Sequence, residues 1–341
     1  MSSLLNKHYK YLSIRLIYIK NLVYNQIFGE VLENEIKNEL KNIKSAFKKN
    51  VNEFVVIYDN SVSPVTYGDY LYVLILARYF LMHDKIVKFY IINSGFRKDE
   101  NSLTESQKLN YLNEQINLAE WVLKSKLHNV YIRAISWENF NILHFNNSHI
   151  IFSEFIYKKE RIYSKCFNLL NKLLSNKSKA IIDKVLFNKS DFQYNCKIPP
   201  EQYILFACRY TIPVDNRNIE DKEFIYLYKM LKKRFPSHDL LVLSDEIGCD
   251  HFAQIANINN LKCLFSNSYT TNFIDNLQLI LEGDFYFQYK GGGIATFALF
   301  SQIPYECIIK PIHEKMFNKH KFCSWQNKNQ KFINNISLPI Y

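Results

Sequence analysis

Phe54–Ile92 reads FVVIYDNSVSPVTYGDYLYVLILARYFLMHDKIVKFYII and holds one complete strand–helix–strand unit. Phe54–Tyr58 is a continuous apolar run of strand length, and Asp59–Asp69 is a polar turn with one proline and one glycine. Tyr70–Met82 is apolar on every side, which predicts a buried helix, and Ile86–Ile92 supplies the next strand. Apolar strands separated by a covering helix belong to a parallel sheet buried on both faces. The fold class is therefore α/β.

The same grammar extends in both directions. Upstream, Glu30–Lys49 places Val31, Leu32, Ile36, Leu40, Ile43 and Phe47 at helical spacing. Downstream come a helix over Leu103–Lys126, strands over Val130–Trp137 and His149–Ile156, and a helix over Lys159–Ser178. Periodicity is then lost in Asn188–Gln202, which carries Pro199–Pro200 and is the expected domain junction. The pattern restarts with a strand at Tyr203–Ala207, a polar loop at Cys208–Asn218, a helix at Asp221–Phe235 and a strand at Leu240–Leu243. A short helix at His251–Ile258, a strand at Leu261–Phe265 and a helix at Asn272–Leu281 follow. The expected organisation is a helical lead over 1–50 and two doubly wound domains, 51–195 and 196–341, facing a central cleft. In open α/β sheets ligands sit beyond the carboxyl ends of the strands.

Composition limits the function classes. A chain of 341 residues exceeds one ordinary core, and a hydrophobic content of 48% excludes disorder. No apolar run reaches about 18 residues, and the first twenty residues lack a clean apolar stretch with a cleavage site, so a cytoplasmic protein is expected. Seven cysteines form no C-x-x-C and read as buried thiols. The net charge of +11 is partly a consequence of a Lys- and Asn-rich composition, and no nucleic-acid motif accompanies it, so no nucleic-acid partner is expected. The local excess is Met1–Gly29, with four Lys or Arg and no acid among Tyr, Leu and Ile. A helix there fits the inner face of an anionic membrane, and equally a leading helix docked on the main body.

Gly283–Cys307, GDFYFQYKGGGIATFALFSQIPYEC, concentrates the glycine: four of the chain's eight fall between Gly283 and Gly293. It reads as a strand (Asp284–Tyr289), a triple glycine (Gly291, Gly292, Gly293), a helix start (Ile294–Phe300) and a second strand running into Pro304. A glycine turn feeding a helix aims free N–H groups at one spot that suits a phosphate, and it serves equally as a tight turn. Neither the dinucleotide fingerprint nor a P-loop is present. At neighbouring strand ends lie Arg209, with Arg217 and Asn218 closing its loop, then Ser244 and Asp245, and Tyr289 and Lys290 ahead of the glycines. Together they form an expected site for a diphosphate, with Asp245 or Glu246 taking a sugar hydroxyl. In the first half, Tyr67, Gly68 and Asp69 follow the first strand. Asp69 is either a helix N-cap or the carboxylate that deprotonates an acceptor hydroxyl, and Glu154 is the second candidate base.

These residues carry a resemblance. Over about Glu53–Ile309 the pattern resembles glycosyltransferases of the GT-B architecture, with two Rossmann-like domains. FACRYTIPVDNRN looks like the arginine-after-strand loop of NodZ-like and core fucosyltransferases, although Cys208 precedes a single Arg209. FYFQYKGGGIATFALFSQIPYE is similar to the donor-holding strand, glycine turn and helix of bacterial surface-sugar transferases. The resemblance implies a nucleotide-diphosphate sugar bound by the C-terminal domain and a glycan or lipid-linked acceptor bound by the N-terminal domain. It implies transfer in surface-polysaccharide biosynthesis, with Asp69, Glu154 and Arg209 as the catalytic candidates. No Asp-x-Asp occurs, so no metal or other cofactor is expected. Polysaccharide pyruvyltransferases share the architecture and a Gly-Asp helix start like Gly68–Asp69. A non-catalytic nucleotide-binding module is the remaining alternative.

Overall fold

The computed structural model describes residues 29–63, 66–96, 103–124, 129–140, 145, 147–153, 155–158, 161–175, 177–192, 196–210, 218–289, 294–309 and 330–334. The chain splits into two compact units, Met1–Ser178 and Lys179–Tyr341. The basic lead through residue 28 lies outside the described residues.

In the first unit α1 (Gly29–Lys48) is followed by β1 (Glu53–Asp59), α2 (Tyr67–Leu81), β2 (Ile86–Ile92), α3 (Glu105–Lys124), β3 (Val130–Ile135) and β4 (His149–Phe152). The four strands are parallel in the order β3-β2-β1-β4. Phe54 to Tyr58 are all fully buried, as a central strand covered on both faces requires. Twelve of the fifteen residues of α2 are buried, so this helix is apolar all round because other helices cover it. Its Arg78 is buried too and donates to the Val122 carbonyl in the last turn of α3 at 3.3 Å. That bond satisfies one of the carbonyls a helix end leaves open.

The stretch after β4 departs from the sequence reading. Ser153 N–H still donates to Ile57 C=O, and the chain then leaves the sheet as an antiparallel hairpin, β5 (Phe155–Lys158) and β6 (Arg161–Ser164). The strand expected over His149–Ile156 is thus broken at Ser153, and the helix expected from Lys159 begins only at α4 (Lys165–Leu174). FIYK and RIYS are rich in aromatic and β-branched residues, which favour paired strands over helix.

Buried charge ties α1 to this unit. Glu39 Oε1 lies 2.9 Å from His149 Nε2, and Glu39 Oε2 lies 3.6 Å from the buried Lys165 Nζ. Burial pushes the Glu39 carboxyl up, but the His149 hydrogen bond and the Lys165 and His149 charges outweigh it and hold it below its ordinary value. A carboxyl lowered in the folded state contributes stability in full above its unfolded pKa, and loses it as pH falls through the folded value. Glu39→Gln should therefore lower the melting temperature at neutral pH by the equivalent of about 1–3 kcal/mol. The difference from wild type should shrink in acid, and a melting series between neutral and acid pH reads it. A constant difference across the series would remove Glu39 from the acid transition.

The second unit contains α5 (Lys179–Val185), β7 (Tyr203–Ala207), α6 (Asp221–Arg234), β8 (Asp239–Leu243), α7 (Glu246–Ile258) and β9 (Leu264–Phe265). It continues with α8 (Phe273–Glu282), β10 (Phe285–Tyr289), α9 (Ala295–Leu299), β11 (Tyr305–Ile309) and β12 (Gln330–Asn334). Six parallel strands run in the order β12-β11-β10-β7-β8-β9. Phe206 stacks on Phe224 (5.5 Å between centroids) and Phe224 on Phe252 (4.7 Å), so the core is aromatic beneath α6 and α7. The unit begins at Lys179, ahead of the boundary read at 195/196. Phe187 explains the shift: its N–H donates to Phe300 C=O at 2.7 Å and its ring stacks on Phe297 at 4.5 Å. Pro199–Pro200 therefore lies inside this unit. Nor does a strand run into Pro304. β11 starts after it, because proline has no N–H for a ladder, while its carbonyl accepts from Tyr286 N–H. Six cysteines are free thiols, four of them buried, and Cys323 lies outside the described residues.

Candidate functional site

Strand order places the crevices. In the second sheet the chain runs β7-β8-β9 to one side and β10-β11-β12 to the other, so the order reverses between β7 and β10. In the first sheet it reverses between β1 and β4. Such reversals open the crevices in which α/β sheets hold ligands, at the carboxyl ends of the strands.

At the reversal of the second sheet, Ala207 is in register with Gln288. Arg209 thus lies just past β7, and Tyr289 is the last residue of its neighbour β10. Arg209 is half-buried, and its carbonyl accepts from Ile219 N–H at 3.0 Å, which closes the base of its loop. Asn218 is buried beside this closure. Arg217, Lys290, Gly291, Gly292 and Gly293 lie outside the described residues. Cys208 is buried, and burial, then the Cys263 and Cys249 thiols, push its thiol well up. It is a neutral packing group, not a thiolate nucleophile.

One strand further on, Cys208 N–H donates to Leu243 C=O at 3.0 Å, so Ser244 follows the strand beside Arg209. Ser266 brackets Ser244, accepting from its N–H (3.4 Å) and donating to its carbonyl (3.1 Å). Asp245 caps α7 by accepting from Gly248 N–H at 2.8 Å. A Cβ on Gly248 would come within 2.0 Å of Ser244 Oγ, so the missing side chain is what admits the serine. Tyr289 is buried, and its hydroxyl donates to Glu223 Oε1 in the first turn of α6 at 3.0 Å. Burial, then the Glu223 charge, raise the phenol above its ordinary range. Its hydroxyl is thus bonded to α6. Sequence reading passed over Tyr210, whose ring lies 3.7 Å from His251 at 9°, with His251 Nε2 held 3.0 Å from Asp221. Aromatic stacking between a loop residue and a helix residue far along the chain has no periodic signature.

At the reversal of the first sheet, Thr66 is the N-cap of α2 and Asp69 is not. Thr66 Oγ1 accepts from Asp69 N–H (3.4 Å) and its hydroxyl donates to Asp69 Oδ2 (2.6 Å). The reading of Asp69 as the cap is thereby corrected: its side chain occupies the third helical position, where a carboxylate complements the helix dipole. Gly68 is buried in the same turn, and half-buried Tyr67 lies 5.5 Å from the Tyr111 ring. Glu154 lies outside the described residues. At the start of the β1–α2 connection is a set of polar residues that sequence reading did not single out. Asp59, 2% exposed, accepts from Ser61 N–H and Oγ on one oxygen and from Trp137 Nε1 (2.8 Å) on the other. Ser63 and Ser153 hydroxyls meet at 3.2 Å past the carboxyl ends of β1 and β4.

No family model and no curated protein matches this sequence. Among solved structures the chain is similar to the E. coli heptosyltransferase WaaC with ADP, at 12% identity over 83% of this chain and 93% of that one, with a TM-score of 0.42. It is similar to a family 9 glycosyl transferase from Veillonella parvula (9% identity, 83% and 86% of the two chains, TM-score 0.41). The E. coli ADP-heptose LPS heptosyltransferase II matches at 11% identity over 84% and 91%, with a TM-score of 0.40.

Proposed function

We propose that this chain is a glycosyltransferase that moves a sugar from a nucleotide-diphosphate donor to a glycan or lipid-linked acceptor in surface-polysaccharide biosynthesis. The observation that supports it most is the register of β7 with β10, which joins the Arg209 loop to the strand leading into Lys290 and the three glycines. The donor diphosphate binds at that edge, with Arg217, Asn218, Ser244 and Asp245 around it. The acceptor is served by the first sheet, where Asp69 takes the proton of the attacking hydroxyl. As the new glycosidic bond forms, the bond between the anomeric carbon and the diphosphate breaks. Arg209 and Lys290 then neutralise the leaving diphosphate, the task a metal performs in other transferases. Among the described residues no helix is long and apolar enough to cross a membrane. A lipid-linked acceptor would be met at the membrane surface, where the basic lead Met1–Gly29 provides contact.

A thermal-shift screen against UDP-, GDP-, ADP-, CMP- and dTDP-sugars tests this. A ligand at about a hundred times its Kd stabilises by about 2.7 kcal/mol. One nucleotide class should raise the melting temperature, and its free nucleotide, without the sugar, should retain most of the shift. A protein that no member stabilises is not a nucleotide-sugar transferase.

A further inference from the structure

Asn60 and Gln115 are both fully buried, and they face each other across the space between the end of β1 and the middle of α3. Asn60 Nδ2 donates to Gln115 Oε1 at 3.0 Å, and Gln115 Nε2 donates back to Asn60 Oδ1 at 3.0 Å. Gln115 also holds the far end of the same connection. Its backbone carbonyl accepts from the Tyr70 hydroxyl at 2.9 Å, and Tyr70 is the residue after Asp69. One residue of α3 thus brackets the β1–α2 connection at both ends, through its side chain and its carbonyl. The start of the connection is fixed further by Asn60 N–H, which donates to Ile92 C=O at 3.2 Å, and by Asp59 with Ser61 and Trp137.

A buried amide pair contributes little net stability over two apolar side chains of the same shape, because each amide gives up water to reach its partner. What it adds is geometry: two antiparallel N–H···O bonds fix both a distance and an orientation, and polar networks that are fully satisfied rigidify what they join. The β1–α2 connection is the place in the first unit where such precision has a use.

We propose that Asn60 and Gln115 are positioning residues, whose reciprocal amide pair holds the β1–α2 connection so that Asp69 is presented at the edge of the first sheet in one geometry. The proposal rests on the reading of Asp69 as the base. Catalytic groups require such support, since displacement by about 1 Å can slow turnover about a hundredfold.

The test is the paired variant Asn60→Leu/Gln115→Leu, which removes both polar groups and keeps the packing. Release of free nucleotide from a panel of UDP-glucose, GDP-mannose and ADP-glucose is followed, with Asp69→Asn as the control. The melting temperature should stay near that of wild type while kcat falls about ten- to a hundredfold, with KM for the donor within about twofold. The swapped pair Asn60→Gln/Gln115→Asn, which can remake both bonds, should recover most of the rate. Where Asp69→Asn is slow, wild-type kcat in the folded leucine pair overturns the proposal, and so does a folded swapped pair as slow as the leucine pair. Should the leucine pair not fold, Gln115→Met removes both bonds at nearly the same size and should lower kcat; wild-type kcat there has the same consequence. Hydrogen exchange at the Ser61, Ser63, Asp69 and Tyr70 amides separates this proposal from the reading beneath it. Faster exchange in the leucine pair, with a silent Asp69→Asn, sinks Asp69 as the base and leaves the positioning frame standing. Unchanged exchange sinks the frame.

Discussion

Asp69→Asn should keep the melting temperature and donor affinity of the wild type while turnover falls by roughly 10²–10⁴-fold. The helix start does not depend on the carboxylate, because Thr66 caps α2, and an asparagine oxygen can still accept from the Thr66 hydroxyl. The amide cannot take up a proton, so only the chemical step is removed. Loss of rate with both other quantities held is the signature of an interaction used in the transition state alone. Turnover and donor binding measured on the same preparation decide it. If turnover survives, Asp69 is a structural acid in the first turn of α2, and Glu154→Gln becomes the informative variant. If both variants are active, the base lies outside the first sheet's edge.

Arg209→Ala should weaken the donor by about tenfold to a hundredfold, the equivalent of roughly 1.5–3 kcal/mol for a charged hydrogen bond to phosphate. The loop should survive, because its closure runs through the backbone: the Arg209 carbonyl accepts from Ile219 N–H, and the side chain has no part in that bond. The loss should fall on donors and free nucleoside diphosphates alike and be small for the nucleoside, which carries no phosphate. Calorimetric titration with that trio makes the distinction. Equal affinity of wild type and variant for the diphosphate would remove Arg209 from the site.

Element type was legible in the sequence wherever burial is two-sided. Ile86–Ile92 and Tyr203–Ala207 form strands with the bounds read from their apolar runs, because strands covered on both faces are apolar almost throughout, Lys88 being the exception in β2. Helices were legible to within a few residues for the same reason of period, as in Asp221–Arg234. Where burial is not the organising force the reading failed. The β5–β6 hairpin was merged into a strand and a helix because two short pairing partners leave no long-range mark in sequence. β12 went unread, and the unit boundary was set at a proline pair when the packing of Phe187 on Phe297 decides it.

The candidate residues divide in the same way. Local composition alone singled out Asp69 at a helix start, Arg209 after a strand, and the glycines after β10. Which strand ends become neighbours is a property of sheet order, and only the tertiary structure places β7 beside β10 and β1 beside β4. Only the tertiary structure, too, pairs Asn60 with Gln115 across 55 positions, Tyr289 with Glu223 across 66, and Asp59 with Trp137 across 78. Apolar periodicity records which face of an element is buried, because burial acts on each residue by its own surface. A hydrogen bond acts on two residues at once, and nothing in either local sequence names the other.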